Sequence, residues 1–438
     1  MAKPQNQKPP FALRALAAFA VTLAALFVLL LAAYALPGEL VRDHVYDSAV
    51  KIAGEGLYPE YLNFKLFQMD NYTDTIMLTE AASADEAPPL TAMMTNTAYN
   101  VDNFETLADD LQWYIVRDWA AGAQRTDAPA LVPFSYARYW HGYLIWLRPL
   151  LLVTDITGVR VVQYLMLAAL FAAVAVLLRR RCGLRAAAWF AVSQLLVTAF
   201  WVPHQVQFFT CFAVAYAGCV WVLAKPRRSD DVCLALLVLG VVTSFCDLLV
   251  TPVLTLGLPL VCWLLEPQQR LRAGTRQCGI VVGGSLTWGV GYLLCWASKW
   301  VLAGLVTGQN VIADALHQVG VRTAADSWHG MELTWSNILR FVYTTLAGKH
   351  LFWPLVLAVV LLLTLFAASI RDRQQLARAL PLGLCALMTP AWFIVLRTHS
   401  IQHGWFTWRA LGLTVFAGLA FLYYCCDVRQ IAKRLKRT

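Results

Sequence analysis

Hydrophobic residues along this chain come in continuous runs of roughly 18 to 25 residues, the length that a helix needs to cross about 30 Å of hydrocarbon. The runs are continuous rather than alternating, which indicates spanning helices and not the strands of a barrel. The pattern predicts an all-α polytopic membrane protein with about ten transmembrane helices. The predicted spans are 12–36, 159–178, 186–203, 207–224, 232–249, 251–265, 278–305, 350–370, 380–396 and 408–424.

Basic residues are concentrated in short loops beside these runs, as in Arg179–Arg181, Arg227–Arg228 and Arg270–Arg276. Short cytoplasmic loops carry an excess of Lys and Arg, and ten spans place every such cluster on one side. We therefore predict that both termini are cytoplasmic, with a short tail at 1–11 and a basic tail at 425–438.

Between the first two spans lies the longest polar stretch, 37–143, which this topology places outside the cell. From Glu39 to Asp127 it contains sixteen Asp or Glu against five Lys or Arg. Apolar residues recur in it at helical spacing, so we expect short helices on the outer surface. The remaining membrane domain, 144–424, is interrupted by a second outer loop at 306–349.

Composition supports this class. The chain of 438 residues is 59% hydrophobic and 14% charged, whereas a soluble domain has about 25% charged residues. The net charge of +9 resides largely in the membrane-flanking loops, so it predicts orientation and not nucleic-acid binding. None of the eleven Cys lies in 37–143, and most lie within predicted spans as small apolar side chains.

The predicted topology places most candidate catalytic and binding residues on the outer side, and all eight His lie on that side. Asp70 and Asp74 are four residues apart, so a helix would place them on one face. A carboxylate at a membrane surface is a candidate general base for a hydroxyl group. The alternative is structural, because Asp70-Asn71 is also a good start for a helix.

Cations follow where the outer loop re-enters the membrane. Arg138 and His141 flank aromatic residues, and Arg148 comes shortly after. Together they are candidates to hold an anionic lipid headgroup. Aromatic belts and snorkelling side chains explain the same pattern without a function.

Further candidates lie in the second half of the chain. His399 and His403 have the i,i+4 spacing of metal ligands, and Arg409 follows. We favour phosphate contact over a metal, because a guanidinium matches phosphate geometry. Lys299 lies within a predicted span, where a charge is a functional candidate. Arg322 lies in the second outer loop.

The chain resembles the GT-C class of membrane glycosyltransferases. Such proteins have a first helix with a cytoplasmic N-terminus, then a long outer loop bearing acids, then many further spans. The resemblance implies inverting transfer of a sugar from a polyprenyl-phosphate donor to a hydroxyl of an envelope glycan, lipid or protein. It implies a catalytic base at Asp74 or Asp70, the former preferred, and a bacterial plasma membrane. The residues expected to hold lipid phosphate or substrate are Arg138, His141, Arg148, Lys299, Arg322, His399, His403 and Arg409.

No cofactor is expected, although the sequence leaves a divalent metal open. Two other functions also remain open at this point. A lipid or polysaccharide transporter would use a site at the membrane midplane, often between inverted repeats, and this chain shows no evident repeat. A non-enzymatic membrane accessory protein would use its outer loop to dock a partner.

Overall fold

The computed structural model describes residues 9–100 and 132–425 with gaps at 64, 86, 273, 324–326, 329–330, 335, 339 and 341–372. The predicted span 350–370, most of each predicted tail and part of each outer loop therefore lie outside the described residues. The described helices are α1 Phe11–Tyr34, α2 Gly38–Glu55, α3 Asn71–Ala82, α4 Pro89–Thr95, α5 Leu144–Leu151, α6 Ile156–Cys182, α7 Leu184–Leu196, α8 Val206–Ala224, α9 Ser229–Cys246, α10 Val253–Leu265, α11 Pro267–Arg270, α12 Gly274–Thr307, α13 Val311–Thr323, α14 Arg373–Val395, α15 Arg397–Gln402, α16 Gly404–Thr407 and α17 Leu411–Cys425.

Strands are few and short in the part of the chain that is described. Strand β1, Thr97–Asn100, pairs antiparallel with β2, Val132–Ser135. A smaller pair joins β3, Ser327–Trp328, to β4, Met331–Glu332. The architecture is all-α and polytopic, as the hydrophobic pattern predicts.

Seven helices in the described ranges are long and apolar enough to cross a membrane. They are α1, α6, α8, α9, α12, α14 and the segment Gly404–Cys425, which contains α16 and α17. The apolar helices α7 and α10 match two further predicted spans but have only 13 residues each. Helix α7 ends at Leu196, and a 3₁₀ turn continues the chain from Ala199 to His204.

The segment between α1 and α5 packs into the membrane domain instead of standing apart from it. Nine of the twelve residues of α3 are buried. On one side α3 packs against α2, and its first turn contacts the start of α8. Two 3₁₀ turns, Tyr61–Asn63 and Lys65–Phe67, lead into α3. This packing brings the acids of the outer segment against the outer ends of the spanning helices.

At the opposite end of the bundle, charged residues join helix termini that the topology places inside. Arg14 of α1 forms a 3.2 Å ion pair with Asp230 at the start of α9. Arg181 near the end of α6 forms a 2.7 Å ion pair with Glu266, which follows α10. The helix ends thus form two distinct layers, one acidic and histidine-containing, the other rich in arginine.

Candidate functional site

Asp70 and Asp74 lie at the start of α3, with Asp70 directly before the helix and Asp74 in its first turn. Asp70 is the N-cap, and its Oδ1 accepts a 3.0 Å hydrogen bond from the Thr73 backbone N–H. Its Oδ2 accepts a 2.8 Å bond from the Thr73 hydroxyl. The capping alternative for Asp70 is therefore confirmed, because a helix N-terminus leaves backbone N–H groups that a carboxylate satisfies.

The same turn of α3 is bonded to the start of α8. Both carboxylate oxygens of Asp74 lie 3.1 Å from the Val206 backbone nitrogen, and Oδ1 lies 3.3 Å from that of Gln207. The side chain of Gln207 donates a 2.6 Å hydrogen bond to Asp70 Oδ2, and Gln205 Oε1 accepts one of 2.6 Å from the Asp70 N–H. Asp74 thus caps α8, a helix more than 130 residues away in sequence, and its charge complements the helix dipole.

Burial changes the chemistry of both acids. Asp74 is fully buried, and this desolvation raises its pKa to about 7 although Arg160 and the α8 amides oppose the rise. Burial also raises the pKa of Asp70, against its hydrogen bonds from Thr73 and Gln207. Arg160 is itself held by Glu55, which accepts bonds of 2.5 and 2.9 Å from it. Asp74 is therefore poised to take up a proton near neutral pH.

Arg409 is hydrogen-bonded to the segment that leads into this acid pair. Its Nη2 donates a 3.1 Å hydrogen bond to the Leu66 carbonyl, four residues before Asp70, and its guanidinium carbon lies 5.0 Å from the ring of Phe208, the neighbour of Gln207. The side chain is 2% exposed, and Nε and Nη1 find no hydrogen-bond partner among the described residues. Two guanidinium N–H directions therefore remain for an anion.

His399, His403 and Arg322 form a second group. Arg322 Nη1 lies 3.1 Å from His399 Nδ1, and His399 Nε2 lies 2.9 Å from the Leu249 carbonyl. These partners suit a neutral His399 that donates from Nε2 and accepts at Nδ1. Burial and Arg322 lower the pKa of His403 to about 4, and burial holds the pKa of His399 well below its usual value. At neutral pH both imidazoles are therefore uncharged, and Arg322 supplies the positive charge of this group.

Aromatic rings connect the two groups. The His403 ring lies 5.2 Å from Phe406, which lies 5.2 Å from Phe208 beside Arg409. Trp405 contacts Tyr58 at 5.8 Å, and burial together with Asp70 raises the pKa of Tyr58. The structure thus brings Asp70, Asp74, Arg322, His399, His403 and Arg409 to one aromatic-lined region.

Arg138 borders this region from the other side. It forms a 3.3 Å ion pair with Asp314 and lies 4.6 Å from the ring of Tyr136. Burial raises the pKa of Tyr136 to about 12, while the charges of Arg138 and Arg322 oppose the rise. Tyr136 is therefore within electrostatic range of both arginines.

Three predicted ligand-binding residues lie elsewhere, in a buried network around Glu80. His141 Nδ1 lies 2.8 Å from Glu80 Oε2, which also accepts a hydrogen bond from the Tyr143 hydroxyl. Arg148 donates to the carbonyls of Ala81 and Leu36. Lys299 donates to the Met93 carbonyl at 2.6 Å and to Asn96 Oδ1 at 2.8 Å. The structure does not bring His141, Arg148 and Lys299 to the acid pair, and their bonds are with the protein itself.

Sequence reasoning missed Gln205 and Gln207, which bind the two acids. A signal was present, since two glutamines open an otherwise apolar run directly after Pro203-His204. It also missed Arg160, which lies near the start of a predicted span and resembles a snorkelling residue. Among the described residues, no group of three or more His, Cys, Asp or Glu side chains is arranged to hold a metal ion.

Comparison of the chain with protein-family models, with curated proteins and with solved structures finds no match. The fold and the candidate site define the class of protein, a polytopic α-helical membrane protein with a buried acid pair at one end of its bundle.

Proposed function

We propose that this protein is an inverting GT-C-type glycosyltransferase. It would transfer a sugar from a polyprenyl-phosphate donor to an acceptor hydroxyl at the extracytoplasmic face of a bacterial plasma membrane. The observation that carries the proposal is the buried acid pair with raised pKa values, together with an arginine that is bonded to the segment leading into that pair and whose Nε and Nη1 lack partners among the described residues. A buried acid and an unsatisfied cation on neighbouring segments suit a reaction in which one group loses a proton and another leaves as an anion.

Of the two acids, Asp70 is the better base. Both oxygens of Asp74 already accept α8 amides, and this side chain is completely buried. Asp70 keeps 4% exposure, and Oδ1 accepts one hydrogen bond in the described structure, so a lone pair remains. Asp74 then acts as a positioning residue, because it joins α3 to α8 and so places Asp70 against Gln207.

The proposed step is a single displacement. The acceptor oxygen attacks the anomeric carbon and forms the new glycosidic bond, while its proton passes to Asp70. The bond between the anomeric carbon and the phosphate oxygen breaks, and the phosphate leaves with the electron pair. Arg409 and Arg322 would stabilise this charge as it develops, which would lower the barrier more than equal binding of the ground state would.

The test uses full-length protein in lipid nanodiscs, a panel of polyprenyl phosphates carrying tritium-labelled sugars, and envelope material from a strain that lacks the protein as acceptor. Wild-type protein should transfer label from at least one donor. Asp70→Asn should lower this rate by about 1,000-fold, the scale of a general base. Its thermal stability should stay near the wild-type value, because Asn caps helices as well as Asp does.

Asp47→Asn, on the exposed face of α2, is the matched control and should transfer normally. Full activity in Asp70→Asn would contradict the role of that residue. If wild-type protein transfers no label but moves a labelled polyprenyl lipid across liposomes, the transporter alternative replaces the enzyme. If it does neither, the accessory role replaces it.

A further inference from the structure

A cavity of about 870 Å³ opens at the opposite, arginine-rich end of the bundle. It lies between the last turns of α6, α10 and α17 and the first turns of α7, α12 and α14. Its volume is within the ~300–1,000 Å³ of small-molecule sites. The acid pair lies at the opposite end of the bundle, at the starts of α3 and α8, so this cavity does not belong to the proposed active site and the inference does not rest on it.

Three arginines, Arg185, Arg270 and Arg378, line the cavity, and its described lining contains no Asp or Glu. The neighbouring acid Glu266 is already paired with Arg181 at 2.7 Å. Like charges brought together without a counter-charge repel each other, and a bound anion would relieve that repulsion.

Tyrosine side chains orient two of these three arginines. The Arg270 guanidinium carbon lies 3.2 Å from the ring centre of Tyr424. That of Arg185 lies 5.2 Å from Tyr423, whose hydroxyl accepts its hydrogen bond. Stacking on an aromatic face holds a guanidinium while leaving its edge N–H groups directed outward.

Backbone packing and one unsatisfied amide complete the wall. Gly274 begins α12 directly against α14, where a Cβ would lie 1.8 Å from the Ala377 carbonyl, so the position of Arg378 is closely constrained. Gln277 is 3% exposed, and its Oε1 has no hydrogen-bond partner among the described residues. A ligand with a hydroxyl group as well as a negative charge would satisfy both features.

We propose that this cavity binds the headgroup of an anionic glycerophospholipid of the inner leaflet. Arg185, Arg270 and Arg378 would hold its phosphate, and Gln277 would accept a hydrogen bond from a headgroup hydroxyl. The cavity lies at the ends of spanning helices, where lipid phosphates are abundant, and arginine pockets at this level suit acidic headgroups. Leu264, Leu265 and Leu382 give it an apolar floor for the start of the acyl chains.

The experiment measures binding of phosphatidylglycerol to the full-length protein by native mass spectrometry and by the thermal shift that the lipid produces in detergent. Wild-type protein should retain phosphatidylglycerol in preference to phosphatidylcholine. The triple variant Arg185→Gln, Arg270→Gln, Arg378→Gln should bind it about 100-fold more weakly, since each basic residue near an anionic headgroup contributes about a tenfold factor or less.

The matched control, Arg179→Gln, Arg180→Gln, Arg276→Gln, removes the same charge from exposed positions of the same face. It should bind as the wild type does. Equal losses in the two variants, or none in the cavity variant, would overturn the proposal. A thermal shift of the same size with inorganic phosphate alone would overturn the lipid as the source of the phosphate.

A further measurement needs no variant and covers the case in which the cavity variant fails to fold. Photoactivatable phosphatidylglycerol in nanodiscs should crosslink wild-type protein within 182–185, 264–277, 375–382 or 423–424. Crosslinks distributed evenly over the membrane boundary would overturn the proposal.

Discussion

Lys299 lies in the interior of α12 and donates hydrogen bonds to the backbone that ends α4. Its Nζ contacts the carbonyls of Met93 and Met94 and the side chain of Asn96. Asn96 is the left-handed C-cap of α4, with φ of 46°, and its N–H donates to the Ala92 carbonyl. The last carbonyls of a helix have no intrahelical donor, and Lys299 supplies one to those of Met93 and Met94. A charge in a spanning helix is a functional candidate by default, but here its partners indicate a structural role.

We predict that Lys299→Met lowers stability by about 3 kcal/mol, because it leaves buried carbonyls without a donor. The measurement is the thermal unfolding midpoint in detergent. Ser298→Ala, one residue earlier, removes only a hydroxyl bonded to the Cys295 carbonyl and should change the midpoint little. Equal midpoints for Lys299→Met and the wild type would show that Lys299 does not stabilise the end of α4.

For single residues, the sequence predicts local roles such as helix capping well and predicts contacts with distant residues poorly. The capping role of Asp70 follows from Asp-Asn before a helical stretch, because a cap is a local interaction. The bond from Asp74 to α8 joins residues 132 positions apart. No periodicity records such a contact, so the pattern could not distinguish a helix-joining acid from a base.

Helices α9 and α12 pack closely through glycines. A Cβ on Gly240 would lie 2.2 Å from the Trp288 carbonyl, and one on Gly291 would lie 2.4 Å from the Leu237 carbonyl. Both obstacles are backbone atoms, which cannot move aside as a flexible side chain can. Small residues at such positions let spanning helices approach, and van der Waals contact then holds them together.

Gly291→Ala should therefore destabilise the protein by about 2 kcal/mol through overpacking. Gly289 lies in the same helix with nothing within 4 Å of its Cβ position, so Gly289→Ala should be neutral or slightly stabilising. Thermal unfolding in the same detergent compares the two. Similar midpoints for the two variants would contradict close packing of α9 on α12.

The helix bounds were predicted more closely than the packing of the outer segment. The hydrophobic run at 207–224 matches α8, Val206–Ala224, because burial in lipid imposes a continuous apolar stretch. Helix α3 contains Asn, Thr, Asp and Glu, yet most of it is buried. The polar groups at its start bond to Glu55, Gln205 and Gln207, so a composition typical of a surface helix is misleading here.

Over the whole molecule, buried acids and buried histidines make opposite contributions to pH dependence. The pKa of Asp74 rises from about 3.9 in an unfolded chain to about 7 on folding. Its contribution to stability is thus complete below pH 4 and is lost as the pH rises through 7. The pKa of His403 falls from about 6.5 to about 4, so its contribution is complete above pH 6.5 and is lost as the pH falls through 4.

A stability profile of the wild type alone therefore mixes two slopes, and variants are needed to separate them. Relative to the wild type, Asp74→Asn should gain stability as the pH rises from 4 to 7, by about 4 kcal/mol at most. As the pH rises from 4 to 6.5, the wild type should gain stability and His403→Gln should not, so the variant should lose stability relative to the wild type. Unfolding midpoints in detergent between pH 4 and 8 test both signs, with Asp47→Asn as a control that should run parallel to the wild type. A parallel profile for Asp74→Asn would contradict burial of an ionisable acid at the junction of α3 and α8.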